Sequence, residues 1–438
     1  MNQFQLLRTR RFGPFFCTQA LGAFNDNAFR NALVMLVAFH MGLGSHTVAL
    51  YTNLAPALFI LPFFLFSATA GQLAEKYEKS RIIRYIKLFE IGAMALALFG
   101  FYTHNVGLLL TVLFLMGVHS ATFGPIKYAI LPQALQRDEL IGGNALIETG
   151  TQLAMLLGLI VGSALLEVGA GGAQWAGMVT LTLAVLGYLA SRHVPPAPAT
   201  APTLKFNWNP FTETVRVLAI TRRDRTVFHA VLGISWYWFY ATVLIAQLPN
   251  YTRLNLGGDG SVAILVLTLF SIGTAVGALL CERLSARRVE IGLVPLGALG
   301  LLAFGVDVYF ARPGLAAQQG LDWLAFLHGA GSLRIALDLT LIGMFAGIYV
   351  VPLFAFIQQR TPSDHLSRVI AGNNIINALL ICMGAGFGLV MDASGFGVPL
   401  TFLFAALLGA LFVGYIFVRM PEFMSRFAIW SRLDRRPR

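Results

Sequence analysis

Twelve apolar runs, each long enough to cross a bilayer and separated by polar loops, constrain this chain more than any other feature. They fall near residues 12–41, 47–74, 82–103, 106–126, 139–167, 173–191, 226–249, 261–281, 290–311, 334–357, 366–391 and 396–418. A helix needs about 20 apolar residues to span the hydrocarbon core, and a membrane β-strand about 10. The runs therefore predict spanning helices, whose backbones satisfy their own hydrogen bonds in lipid. Of the 438 residues, 57% are hydrophobic and 12% charged, where a soluble domain averages about 25% charged. A water-soluble globule, a disordered chain and a disulfide scaffold are excluded.

A net charge of +11 invites a nucleic-acid reading, but the basic residues alternate loop by loop. With both termini placed in the cytoplasm, 26 of the 31 Lys and Arg fall on that side, as the positive-inside rule expects. They include Lys76, Lys79, Arg81, Arg84 and Lys87 after span two, Arg283, Arg287 and Arg288 after span eight, and Arg360 and Arg368 around the start of span eleven. Arg253, Arg312 and Arg334 lie on the other side, and Arg30 and Lys127 within or at the edge of spans. No nucleic-acid partner is expected. Cys17, Cys281 and Cys382 lie in apolar runs without CxxC spacing and read as small buried hydrophobes. The apolar run after the short basic start is too long for a cleavable signal.

The one long polar stretch, 192–225, divides the spans into halves 1–191 and 226–419, leaving a basic amphipathic tail at 420–438. Asn209-Pro210-Phe211 predicts a short surface helix within that central loop. The halves repeat each other. Gly71-x3-Glu75-Lys76-Tyr-x-Lys-x-Arg81 has its counterpart at Glu282-Arg-Leu-x2-Arg-Arg288. Gly124-Pro125 followed by Gly143-Asn144 likewise matches Val351-Pro352 followed by Gly372-Asn373. The expected fold class is all-α and integral to the membrane: the major facilitator fold, with twelve helices in two six-helix halves and substrate between them. The loop carrying Gly71, Glu75, Lys76 and Arg81 resembles that superfamily's gating loop, where an exposed ion pair is worth about 0–1 kcal/mol.

Polar residues inside spans mark candidate function, because a midspan charge costs about 2.5–3.5 kcal/mol on insertion scales. Span one holds Gln19, Asp26 and Arg30 on one face and Asn27 and Asn31 on the next. Asp26 and Arg30, at +4 spacing, read either as a self-neutralising pair or as cavity lining. Span five offers Asn144, Glu148 and Gln152 on one side, and Ala154, Gly158 and Gly162 as a close-packing face on the other. Arg30 and Lys127 are the cations expected near Glu148, although Lys127 also fits a snorkelling residue. Beyond their first turns, spans seven and eleven show no acid or base but carry Trp236, Tyr237, Tyr240, Gln247, Asn373, Asn374 and Asn377. A charged first half and an amide- and aromatic-rich second half suit an amphiphile with an ionic head and an apolar tail. No phosphate loop, His-x4-Asp acyltransferase element, HExxH or Cys/His cluster occurs. No enzyme activity, cofactor or metal is expected.

Gln19-Ala-Leu-Gly-Ala-Phe-Asn-Asp-Asn27, with Gly124-Pro-Ile-Lys127-Tyr128-Ala-Ile-Leu-Pro-Gln133, resembles the lysophospholipid transporter (LplT) family of bacterial inner membranes. Phe15-Phe16-x-Thr18-Gln19 and Pro421-Glu-Phe-Met-Ser-Arg-Phe427 are most similar to the branch fused to acyltransferase–acyl-carrier-protein synthetases. The resemblance implies a monomeric flippase, both termini cytoplasmic, moving lysophosphatidylethanolamine-like lipids inward for reacylation by a separately encoded acyltransferase. It implies roles for Asp26, Lys127 and Glu148. The standalone branch carries an arginine in span seven, where this chain has Thr242-Val-Leu-Ile-Ala-Gln247. A proton-coupled drug or small-solute exporter is the rival, but Gly158-x3-Gly162 is followed by Ser163 and not by the proline typical of such exporters. A lipid-binding scaffold that does not transport is disfavoured by the costly midspan charges. The tail's Phe423, Phe427 and Trp430, flanked by Arg426 and Arg432, form a stripe suited to the inner-leaflet surface.

Overall fold

The computed structural model describes residues 2–169, 171–311 and 320–433. Arg312, the end of the tail at 434–438 and the side chain of Arg432 lie outside the described residues. In chain order the helices are α1 (Gln3–Leu6), α2 (Gly13–Met35, continued by a π turn over Leu36–His40), α3 (Ser45–Lys76), α4 (Lys79–Tyr102) and α5 (Val106–Ala129). Next come α6 (Leu131–Ala134), α7 (Leu140–Leu166), α8 (Gly172–Ser191), α9 (Pro210–Arg223), α10 (Arg225–Asn255) and α11 (Gly260–Leu284). The chain continues with α12 (Leu293–Phe310), α13 (Trp323–His328), α14 (Ser332–Arg360), α15 (Leu366–Ala393), α16 (Val398–Arg419) and α17 (Glu422–Leu433).

Ten of these helices are long and apolar enough to cross a membrane. The first and third expected spans, α2 and α4, are missing from that set because polar side chains interrupt them: Asn25, Asp26, Asn27, Arg30 and Asn31 in α2, and Lys79, Arg81, Arg84, Lys87 and Glu90 in α4. Together the twelve helices give the layout that the hydropathy pattern predicts, a multi-pass membrane protein. Large apolar side chains such as Leu389, Leu411 and Val418 point outward, as a lipid-facing surface requires. For the same reason two cysteine expectations need correction. Cys281 is buried, but Cys17 and Cys382 are exposed on the protein surface; an apolar neighbourhood in a membrane helix is as often lipid as protein core.

The described chain forms two compact units. Unit 1 comprises Met1–Arg137, Leu153–Arg223 and Thr361–Ile375; unit 2 comprises Asp138–Gln152, Asp224–Arg360 and Ile376–Arg438. The core of unit 1 gathers Phe29, Leu33, Met94, Phe101 and Leu113. The small-residue face of α7 packs there as expected, with α2 as its partner. A Cβ on Gly158 would lie 2.6 Å from the Phe24 carbonyl oxygen, and one on Gly162 only 2.4 Å from that of Ala28. Only glycine permits that backbone approach. Helix α9 forms where Asn209-Pro210 predicts it, with the Asn209 side chain accepting from the Phe211 and Thr212 amides at 3.0 and 3.2 Å. Its apolar side is buried: Val217 packs on Ala68, Ala371 and Ile375. The loop before it is pinned by Gln72, which donates to the Asn207 carbonyl at 3.1 Å and accepts from the Asn207 amide at 2.8 Å.

Unit 2 is centred on Phe239, Leu244, Tyr251, Phe270, Leu339 and Phe402. Its tightest joint is α11 on α14. Gly273 and Gly277 face the Thr340 and Met344 carbonyls, while Gly343 and Gly347 face those of Phe270 and Thr274. This reciprocal glycine pairing was not anticipated from the sequence, although both pairs have the GxxxG spacing. The stripe on α17 also turns to protein. Phe423 is fully buried, the Trp430 indole donates to the Leu284 carbonyl at 2.7 Å, and Arg426 pairs with Glu290 at 2.6 Å. Arg426, expected beside anionic lipid, thus has a carboxylate partner on its own chain.

Candidate functional site

In unit 1, three helices bring ionisable side chains to one place. Lys87 and Glu90 are one turn apart on α4, and the ammonium lies 2.7 Å from Glu90 Oε2. Both are buried, at 0% exposure. From α5, His119 Nε2 lies 3.2 Å from Glu90 Oε2, and its Nδ1 lies 3.9 Å from Asp26 Oδ1 on α2. Asn25 donates to Glu90 Oε1 at 2.8 Å, and the Ser120 hydroxyl donates to Asp26 Oδ2. Phe123 forms an apolar floor, stacked on the His119 ring and 5.5 Å from the Lys87 ammonium. Gly22 makes room for that ammonium: a Cβ there would meet it at 2.5 Å.

This cluster revises the sequence reading in three ways. Lys87, counted as a loop cation, is two turns inside α4 and buried, because a carboxylate one turn along compensates it. Arg30 and Lys127 are therefore joined by Lys87 and His119 as cations or potential cations within the spans. Asp26 and Arg30 do not form the ion pair that their +4 spacing allows. Arg30 donates to Asn27 Oδ1 at 2.7 Å and lies over the Phe59 ring at 5.9 Å, while Asp26 turns toward Ser120 and His119. The signals were present: a Lys–Glu pair at +3 and a histidine inside an apolar run. Asn31 bonds Ser163 and the Leu159 carbonyl, tying α2 to α7. Gln19 is buried in α2. Lys127 and Tyr128 are half-buried near the end of α5, the ammonium 5.3 Å from the Tyr128 ring.

The gating-loop residues part company. Glu75 is fully buried and its partner is neither Lys76 nor Arg81. Its Oε2 accepts from Arg368 Nε at 2.6 Å and its Oε1 from the Arg368 amide at 3.0 Å. The carboxylate thus caps the first turn of α15, where free N–H groups and the helix dipole favour an anion. Its backbone carbonyl also accepts from Thr200 and Ala201 in the central loop. The expected exposed pair is instead a buried one, and Arg368, read as a loop residue, belongs to α15. Gly71 is required by the same joint: a Cβ would lie 2.9 Å from Ala371 Cβ and 3.1 Å from the Arg368 backbone. Lys76 rests over Tyr77, and Arg81 is exposed.

Unit 2 carries most of the remaining candidates. Asn144 and Gln358 exchange two amide hydrogen bonds, at 2.6 and 3.0 Å. Glu148 is buried and accepts from Gln152 at 2.9 Å, close enough to Tyr237 to act on it electrostatically. The Ser235 hydroxyl donates to Asn377 at 2.7 Å, and Tyr349 donates to the Gly233 carbonyl. Gln247, half-buried, is apart from these and accepts from Asn250. Asn373 belongs to unit 1, fully buried. A cavity of about 190 Å³ is lined by Trp236, Tyr237, Tyr240, Leu302, Tyr349 and Phe417. Among the described residues no cluster of His, Cys, Asp and Glu has the geometry of a metal site.

Several known proteins are similar to this chain. The chain is 25% identical over 419 residues to the lysophospholipid transporter LplT of Enterobacter sp. (strain 638), covering 90% of this chain and 93% of that one. It is 27% identical over 415 residues to the LplT of Escherichia coli O7:K1, with 90% and 93% covered. Among solved structures it matches the human organic anion transporter MFSD10 with a TM-score of 0.74 at 14% identity, over 93% of this chain and 99% of that one. It matches the transporter FucP with a TM-score of 0.69 at 16% identity, over 98% and 100%. The family model of the Major Facilitator Superfamily matches residues 15–385. With twelve long helices and a match of that extent, the chain belongs to the Major Facilitator Superfamily.

Proposed function

We propose that this protein is a lysophospholipid transporter, a flippase of the bacterial inner membrane. It moves lysophosphatidylethanolamine-like lipids to the cytoplasmic leaflet by alternating access of its six-helix halves, with both termini cytoplasmic. The observation that carries the reading is its similarity to LplT proteins along nearly the whole of both chains. The chemistry of the polar residues supports it. Asp26 and Glu148 are carboxylates suited to the ammonium of an ethanolamine head group. Arg30, held by Asn27, and Lys127 are suited to the phosphate. Neither requires a bond to be made or broken in the lipid, so the protein itself performs no acyl transfer. A separately encoded acyltransferase would receive the product. Glu75 and Arg368 act as a latch at the loop end of α3, closing and opening with the transport cycle.

The test is uptake of labelled lysophosphatidylethanolamine by proteoliposomes holding the full chain, alongside Asp26→Asn and Glu148→Gln. Both variants should fold and lose most transport, with a smaller loss for a lysolipid that lacks the ammonium. Normal transport by both folded variants would overturn the head-group assignment. No uptake by the wild type, with efflux of amphiphilic drugs instead, would overturn the substrate class.

A further inference from the structure

The membrane-suited stripe that the sequence places on the tail is turned to protein in α17, where Phe423 is fully buried. Helix α9 does the reverse. One side of it is buried through Val217, Ile220 and Thr221, while the other shows Phe211 and Val215 at 72% and 69% exposure. Ala219, also exposed, extends that line by one more +4 step. Trp208, just ahead of the helix, is 86% exposed. Its surroundings hold it out. Asn207 is pinned by two hydrogen bonds with Gln72, Asn209 caps α9, and the Phe206 ring lies edge-on to the indole at 4.6 Å. A tryptophan held in this way, followed by an apolar stripe, marks a surface that something other than water covers.

Charge narrows what that cover is. Between residues 192 and 223 the one acid is Glu213. It is fully buried and accepts from Asn207 at 3.2 Å. Lys205, Arg216 and Arg223 are exposed. Arg216 and Arg223, seven residues apart, run along one flank of the stripe, and Arg216 comes no nearer to Glu213 than 4.0 Å. The outer surface of the segment is therefore apolar and basic, with its carboxylate turned inward.

Depth narrows it further. Val217 packs on Ala68, which lies eight residues before the end of α3, and on Ala371 and Ile375, five and nine residues past the start of α15. At 1.5 Å per residue these contacts lie about 8–14 Å inside the helix ends, within the apolar runs. Helix α9 thus leans on the flanks of two spanning helices and not on their tips, which turns its outer face toward the boundary where lipid begins. A soluble protein approaching from the cytoplasm would meet the tips.

We propose that α9, with Trp208 ahead of it, is a docking surface for anionic phospholipids of the adjacent leaflet. Trp208, Phe211 and Val215 enter the boundary between head groups and chains, and Lys205, Arg216 and Arg223 meet lipid phosphates. That leaflet is the cytoplasmic one in the orientation proposed above; the contact itself depends neither on that orientation nor on the substrate.

Tryptophan fluorescence of the full-length protein in proteoliposomes tests this, with the Trp208 signal taken as the difference between wild type and Trp208→Phe. Phosphatidylglycerol brominated high on its chains, mixed into phosphatidylcholine, should quench that signal at least twofold, while aqueous iodide should barely change it. The same amount of brominated phosphatidylcholine should quench less, and Arg216→Gln combined with Arg223→Gln should remove the difference between the two lipids. Quenching by iodide but not by brominated lipid would overturn the proposal and assign the face to a water-soluble partner. Protection from both quenchers would overturn it in favour of a second copy of this chain. Equal quenching by the two brominated lipids in wild type would overturn the anionic assignment.

Discussion

In unit 1, Lys87, Glu90, His119 and Asp26 meet inside a helical core. In unit 2, the corresponding interior holds Asn144 against Gln358, Ser235 against Asn377, and Tyr349 on a backbone carbonyl. Both solutions bring buried polar groups together, but their energetics differ. An ionic cluster carries a large desolvation cost that only its own members offset. A pair of neutral amides risks no more than unmade hydrogen bonds. The contrast suits the proposed substrate, an amphiphile with a charged head group: unit 1 offers an ionic field, and unit 2 offers shape and hydrogen bonds.

The sharpest way to break this contrast is Lys87→Met. It leaves Glu90 buried without its ammonium and should destabilise the protein by about 3–5 kcal/mol, the usual result of removing one member of a buried pair. Adding Glu90→Gln should recover much of that loss. Thermal unfolding of both variants in detergent checks it, and a double variant no better than the single one would deny the pairing.

The latch should respond less. Glu75→Gln keeps one acceptor for the Arg368 amide but loses the charge on both bonds, which should cost about 1.5–3 kcal/mol. It should also shift spectroscopic distances between labels on the α3–α4 loop and the start of α15. In unit 2, Gln358→Leu should cost about 1–3 kcal/mol by leaving Asn144 unsatisfied, and Asn144→Leu added to it should not double the loss. An effect as large as that of Lys87→Met would erase the distinction between the two interiors.

The smallest effect concerns pH. Partial burial pushes the Asp224 carboxyl upward, but the Val227 and Thr226 amides and Arg360 together hold it below the ordinary carboxylate value. A lowered folded pKa means a contribution fully present above the ordinary value, about 3.9, and lost as pH falls through the lowered one. The melting temperature of the wild type should therefore drop more on acidification than that of Asp224→Asn, which keeps the helix cap but cannot titrate. Parallel acid limbs would show that the carboxylate charge contributes nothing.

Much of this molecule was legible in the residues alone. The twelve helices begin and end within a few residues of the apolar runs, because a segment in lipid must be helical and about one bilayer long. The small face of α7, the cap at Asn209 and the polar faces of α2 and α7 also follow from local spacing and side-chain type. Spacing within one helix allowed Asp26 to pair with Arg30, but the structure joins it to Ser120 and His119 of another helix. Loop bookkeeping assigned Lys87 and Arg368 to the surface, and their carboxylates, one turn away in one case and across the fold in the other, drew both inside. Hydropathy reports how apolar a segment is on average, and so determines that it crosses the membrane. Which charges can be buried there depends on what each meets at about 3 Å, and that only the packing of helices distant in sequence decides.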